Sequence, residues 1–132
     1  MANYVGRFRT NYFKVNDEKA FDKWLTTYLA DAEKITKKDR VGFLSYDSFE
    51  FYDPDGNEEI DEDVAFQELQ DLLCDGEACV VHEIGYEKFR YFVSGGTIIT
   101  KSTINFFSFE DFLLEKVKEM TGNKEFNLNI SY

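Results

Sequence analysis

The clearest pattern along the chain runs from Phe21 through Trp24, Leu25, Tyr28 and Leu29 to Ala32, spaced i, i+3, i+4, i+7, i+8, i+11. That spacing puts every apolar side chain on one stripe of a helix of about three turns. Asn16 is the expected N-cap, with Asp17 and Glu18 in the first turn, where the helix dipole favours carboxylates. Before it, residues 3–15 read as a strand with Arg7 and Arg9 on the face opposite Phe8. After it, Lys34, Lys37, Lys38 and Arg40 predict a basic connector that closes the helix C-terminus. Residues 41–52 predict one bent strand or a strand pair, and 53–57 (DPDGN) a turn.

Val64, Phe66, Leu69, Leu72 and Leu73 predict a second helix, capped by Asp61 or Asp63 and ended by Gly76. Residues 78–85 read as a short apolar strand. Two more strands, 88–94 and 97–107, are expected on either side of a Gly95-Gly96 hairpin turn. Ser108 with Asp111 resembles a capping box for a third helix striped by Phe109, Phe112, Leu113, Val117 and Met120 and ended by Gly122. The tail alternates Phe126, Leu128, Ile130 and Tyr132 with polar residues, which is strand periodicity. The expected fold is α+β: a mostly antiparallel sheet of five to seven strands with about three helices packed on one face.

Composition agrees with a single domain over residues 1–132. Fourteen Phe, eight Tyr and one Trp make 17% of the chain aromatic, a bias that suits pleated, half-buried surfaces. One proline among 132 residues argues against a linker-rich chain. The opening residues MANYVGRFRTNYF carry no apolar signal region, and no run approaches the length of a membrane span, so a cytoplasmic address is expected. In that compartment Cys74 and Cys79 are expected as reduced thiols.

Charge changes the picture most. Residues 41–87 hold fifteen carboxylates, one histidine and no Lys or Arg, about −15 in a chain whose net charge is −11. The remainder is therefore mildly basic. Within the block, residues 47–63 (DSFEFYDPDGNEEIDED) contain nine acids: Asp47, Glu50, Asp53, Asp55, Glu58, Glu59, Asp61, Glu62 and Asp63. Such acidity disfavours direct binding of nucleic acid. It suits either a solvated face or a surface that substitutes for phosphates, since duplex DNA carries about one charge per ~1.7 Å of axis. Tyr46 and Tyr52 interleave with these acids as possible aromatic anchors, although strand alternation also accounts for them as core.

The same loop looks like the first nine positions of an EF-hand calcium loop, with Asp53, Asp55, Asn57, Glu59 and Asp61 at the alternate oxygen positions. It departs at position 6, which is Glu58 where the turn wants glycine, and at position 12, which is Val64 where a bidentate Glu closes the sphere. The principal expectation is therefore no cofactor, with Ca2+ as the alternative. Catalysis has no evident machinery. His82 is the only histidine, and strand alternation puts it on the face opposite both Glu83 and Cys79.

The stretch Thr10-Asn-Tyr-Phe-Lys-Val-Asn-Asp17, with Phe21 and Trp24, resembles the opening of small acidic proteins carried by bacterial phages and plasmids. The resemblance implies a mobile-element origin, where such proteins often inhibit host defence in the manner of anti-CRISPR or anti-restriction proteins. The expected function is a non-enzymatic inhibitor acting in the bacterial cytoplasm. Its acidic surface would bind a basic, nucleic-acid-handling partner. The alternatives are a protein–protein interaction module whose acidic face only solvates, and a degenerate EF-hand-like calcium-binding protein.

Overall fold

The structure is a computed structural model described over residues 5–45, 62–87 and 91–127. Strand β1 (Val5–Thr10) alternates buried Phe8 and Thr10 with exposed Arg7 and Arg9, and lies between β3 (Arg40–Ser45) and β4 (Cys79–Glu87). The chain between β1 and α1 (Glu18–Tyr28) stays tied to the sheet. Phe13 exchanges backbone hydrogen bonds with Val41 at 2.8 and 2.9 Å, and Val15 bridges Leu73. The expected strand over 3–15 therefore ends as a ladder at Thr10 and continues as isolated bridges. The N-cap of α1 is Asp17, whose Oδ1 accepts from the Ala20 N–H at 3.2 Å. Asn16, the expected cap, instead donates from Nδ2 to the Asp71 carbonyl at 3.0 Å.

Helix α1 buries Phe21, Trp24, Leu25 and Tyr28, with Leu29 at its C-cap, which is the stripe read from the sequence. It ends before Ala32, because the next residues form a strand. The basic connector is in fact β2 (Glu33–Lys37), turned back onto β3 by Lys38 and Asp39, with Lys38 at φ 57°. Lys34 does not cap the helix C-terminus. It bridges to Glu18 and Asp22 at 2.7 Å each, and Asp22 first, then Glu18, holds its ammonium above the ordinary pKa.

Helix α2 (Glu62–Leu72) turns Ala65, Phe66 and Leu69 inward, while Val64 is exposed. Gly76 lies beyond the helix, in a turn with φ 77°. Strand β5 (Tyr91–Ile99) runs straight through Gly95 and Gly96, which overturns the hairpin expected there. The reversal comes at 100–103, where the Thr100 N–H donates to the Thr103 carbonyl at 2.8 Å and Thr100 Oγ1 accepts from the N–H groups of Ser102 and Thr103. The glycines serve packing. A Cβ at Gly95 would stand 2.6 Å from the Phe107 carbonyl oxygen on β6 (Ile104–Ser108).

All pairings are antiparallel, and the sheet order is β2-β3-β1-β4-β5-β6. One face carries α1 and α2 over Phe8, Phe13, Val41, Phe43, Val81 and Ile99. Rings meet edge-on at Phe8–Phe43 (5.9 Å) and Phe13–Phe21 (5.7 Å), and Trp24 lies 5.6 Å from Phe43. Such pairs add about 0.5–1.5 kcal/mol each beyond the area they bury. The α+β class stands, but only two of the three helices pack on that face. Helix α3 (Phe109–Thr121) has its expected ends, with Ser108 Oγ accepting from the Asp111 N–H at 3.0 Å and Gly122 in the left-handed region, yet it buries none of its residues. Phe126 and Asn127 lie in no strand, and the rest of the tail lies outside the described residues.

Candidate interaction surfaces

Tyr46, Asp47, Glu50, Tyr52, Asp53, Asp55, Asn57, Glu58, Glu59 and Asp61 lie outside the described residues, and with them the calcium-like loop. Of the nine expected acids, Glu62 opens α2 and Asp63 is exposed on its first turn. The helix is rotated by its inner side. The Trp24 indole N–H donates to the Ala65 carbonyl at 2.9 Å inside the core, and Phe66, Leu69 and Leu73 are buried beside it. The same rotation turns Asp63, Gln67, Glu68 and Asp71 outward. The acidic block thus continues along the outer face of α2 to Asp75, which meets Lys101 at 3.4 Å.

Glu77 belongs to the scaffold and not to this surface. Its Oε1 accepts from the Lys14 N–H at 2.9 Å and from Arg40 Nη1. The Lys14 amide first, then Arg40, holds its carboxyl below the ordinary range. This carboxylate ties the link between α2 and β4 to the segment after β1. Asn11 does the same one step on, donating to the Ala78 carbonyl at 3.0 Å and accepting from the Val80 N–H at 2.8 Å.

A second surface was not anticipated as a surface. Phe106 and Phe107 on β6, and Phe109, Phe112, Leu113 and Met120 on α3, are all exposed, Met120 at 85%. Phe109 and Phe112 stack with centroids 6.3 Å apart, and the Lys116 ammonium lies 5.5 Å from the Phe112 ring. The helical spacing of these residues predicts their common stripe. It does not say whether another element covers that stripe, and among the described residues α3 packs chiefly beside β5 and β6.

The candidate chemical residues remain apart. Cys79 is buried on the core face, where desolvation pushes its thiol pKa far up, and His82 is exposed on the opposite face. Both cysteines are free thiols. Among the described residues no three His, Cys, Asp or Glu side chains come together as a metal site, and no helix is long and apolar enough to cross a membrane. Compared with protein-family models, curated proteins and solved structures, the chain matches none.

Proposed function

We propose that this protein is a non-enzymatic inhibitor from a mobile element. It binds a nucleic-acid-handling bacterial defence protein, a CRISPR effector or restriction system, through an acidic surface that stands in for nucleic-acid phosphates. The observation that carries the reading is charge segregation: fifteen carboxylates and no Lys or Arg over residues 41–87. Its described part supports the reading, because the acids of α2 lie on the side turned away from the core. A groove built to hold phosphates offers Lys and Arg, and a carboxylate surface of similar density releases the same condensed counterions on binding.

The test is affinity capture of the tagged protein from bacterial lysate at low salt, eluted with rising salt and identified by mass spectrometry. A DNA- or RNA-handling protein released at moderate salt is expected, since association between opposed charges weakens as ions screen it. Reversing Asp53, Asp55, Glu58 and Glu59 to Lys should abolish both capture and inhibition while leaving Tm nearly unchanged. Full activity in that variant overturns the mimicry.

One observation favours a second reading, an interaction module centred on aromatics. The Phe109, Phe112 and Leu113 side chains of α3 form an exposed apolar surface of the kind that marks partner sites. In that case the captured protein resists salt, and Phe112→Ser releases it where the charge reversal does not.

A further inference from the structure

The two outer strands of the sheet are built differently. At one end of the strand order, β2 carries Glu33, Lys34 and Lys37, and charges of that kind keep an edge from pairing with another chain. At the other end β6 carries none, and residues 102–109 (STINFFSF) hold neither acid nor base. Among the described residues β6 pairs with β5 on one side, and residues 104–107 make no hydrogen bond on the other.

The turn before β6 sets which groups its outer side offers. The Thr100 N–H donates to the Thr103 carbonyl at 2.8 Å, so residues 100 and 103 are a hydrogen-bonded pair. Such pairs alternate along an antiparallel ladder. The amides and carbonyls of Asn105 and Phe107 therefore point at β5, and those of Ile104 and Phe106 point outward. The side chains alternate too. Phe106 stands in one row with Thr97 and buried Val81, on the face that carries α1 and α2, while Phe107 stands on the opposite face beside Gly96. Both rings are more than half exposed.

We propose that β6 pairs with β6 of a second copy of this chain, antiparallel about a two-fold axis at Phe106, so that two six-stranded sheets become one. The axis sets Phe106 against its own copy, Ile104 against Ser108 and Asn105 against Phe107, and the outward amides and carbonyls of Ile104 and Phe106 gain partners. No like charges meet in these rows, a condition for self-association in a chain of net charge −11. Antiparallel pairing also lays the start of one strand beside the end of the other. Lys101, just before β6, is thereby brought towards Glu110 and Asp111, which open α3 in the other copy. The edge is separate from the acidic surface, so either can fail without the other.

The test is analytical ultracentrifugation of the full chain from low micromolar to millimolar concentration, with amide hydrogen exchange read at both extremes. A monomer–dimer equilibrium is expected. The N–H groups of Ile104 and Phe106 should exchange more slowly as the dimer fills, while those of Asn105 and Phe107, already bonded to β5, should be protected throughout. Phe106→Lys, which sets two ammoniums face to face at the axis, should weaken the dimer at least tenfold. Thr36→Lys, at an exposed position on β2, should leave it unchanged. Asn105→Lys is a second variant expected to weaken the dimer should Phe106→Lys not fold. A dimer that these β6 variants leave intact, or one in which the Ile104 and Phe106 amides gain no protection, overturns the proposal. A chain that stays monomeric at every concentration also overturns it, and leaves the edge to an extended segment of another protein.

Discussion

Trp24 combines packing with a hydrogen bond that sets the rotation of α2, so its indole nitrogen is worth more than its area. Trp24→Phe removes the indole donor to the Ala65 carbonyl, which as an interior carbonyl of α2 keeps its helical partner, the Leu69 N–H. A loss of about 0.5–1.5 kcal/mol is expected in urea titration, for the one hydrogen bond removed. Gly42 is fixed by proximity. A Cβ there would stand 2.7 Å from the Asn11 carbonyl oxygen and 2.8 Å from Thr10 Oγ1, an atom already accepting from the Phe43 N–H at 3.0 Å. Gly42→Ala should therefore destabilise by about 1–3 kcal/mol, the usual cost of overpacking, measured by thermal and urea melts. Glu77 makes stability depend on pH. Its folded pKa lies below the ordinary value near 4.5, so its contribution is present above that value and is lost as pH falls through the lowered one. Glu77→Gln should lower Tm by a few degrees at pH 7, and the gap from the native protein should close as both are melted at progressively lower pH.

Among the elements, α1 was almost wholly legible, because six apolar residues at helical spacing have no other economical arrangement. Its cap slipped by one residue, from Asn16 to Asp17, because Asn16 is taken by the Asp71 carbonyl, a contact 55 residues away in sequence. Strand β2 was hidden for a local reason. Its turn uses Lys38 at positive φ where glycine or asparagine is the usual signal, so Glu33–Lys37 read as a charged tail. The Gly95-Gly96 pair misled in the opposite sense. The signal for a turn was present, and the cause was a close approach of neighbouring strands, β6 at Gly95 and the Val81 carbonyl of β4 at Gly96, that only the paired strands reveal. Helix α3 was legible in extent, with Ser108 and Gly122 at its ends, and illegible in burial. Phe21→Ala in α1 should cost about 3–5 kcal/mol, whereas Met120→Ser in α3 should stay within about 0.5 kcal/mol, compared by urea melts.

For the whole molecule, the decisive property is that positive charge is absent from the middle third of the sequence, residues 41–87. The acids concentrated there continue along α2, while the exposed phenylalanines among the described residues lie on α3 and β6. The class of fold could be read from hairpins and helix stripes. Whether the acids gather on one face could not, because sequence spacing orders them within an element and not between elements. Salt is the discriminating variable at this scale: capture through the acids should weaken steeply between about 50 and 200 mM salt, and capture through the phenylalanines should change little. The single tryptophan has a practical consequence for such measurements. Because Trp24 sits where α1 meets α2, its fluorescence is a probe of that junction and is blind to α3, whose melting far-UV circular dichroism would register. Coincident curves from the two probes would mean that α3 melts with the sheet as one cooperative unit. An earlier dichroism transition would mean that α3 unravels alone and is held in place, in use, by whatever it binds.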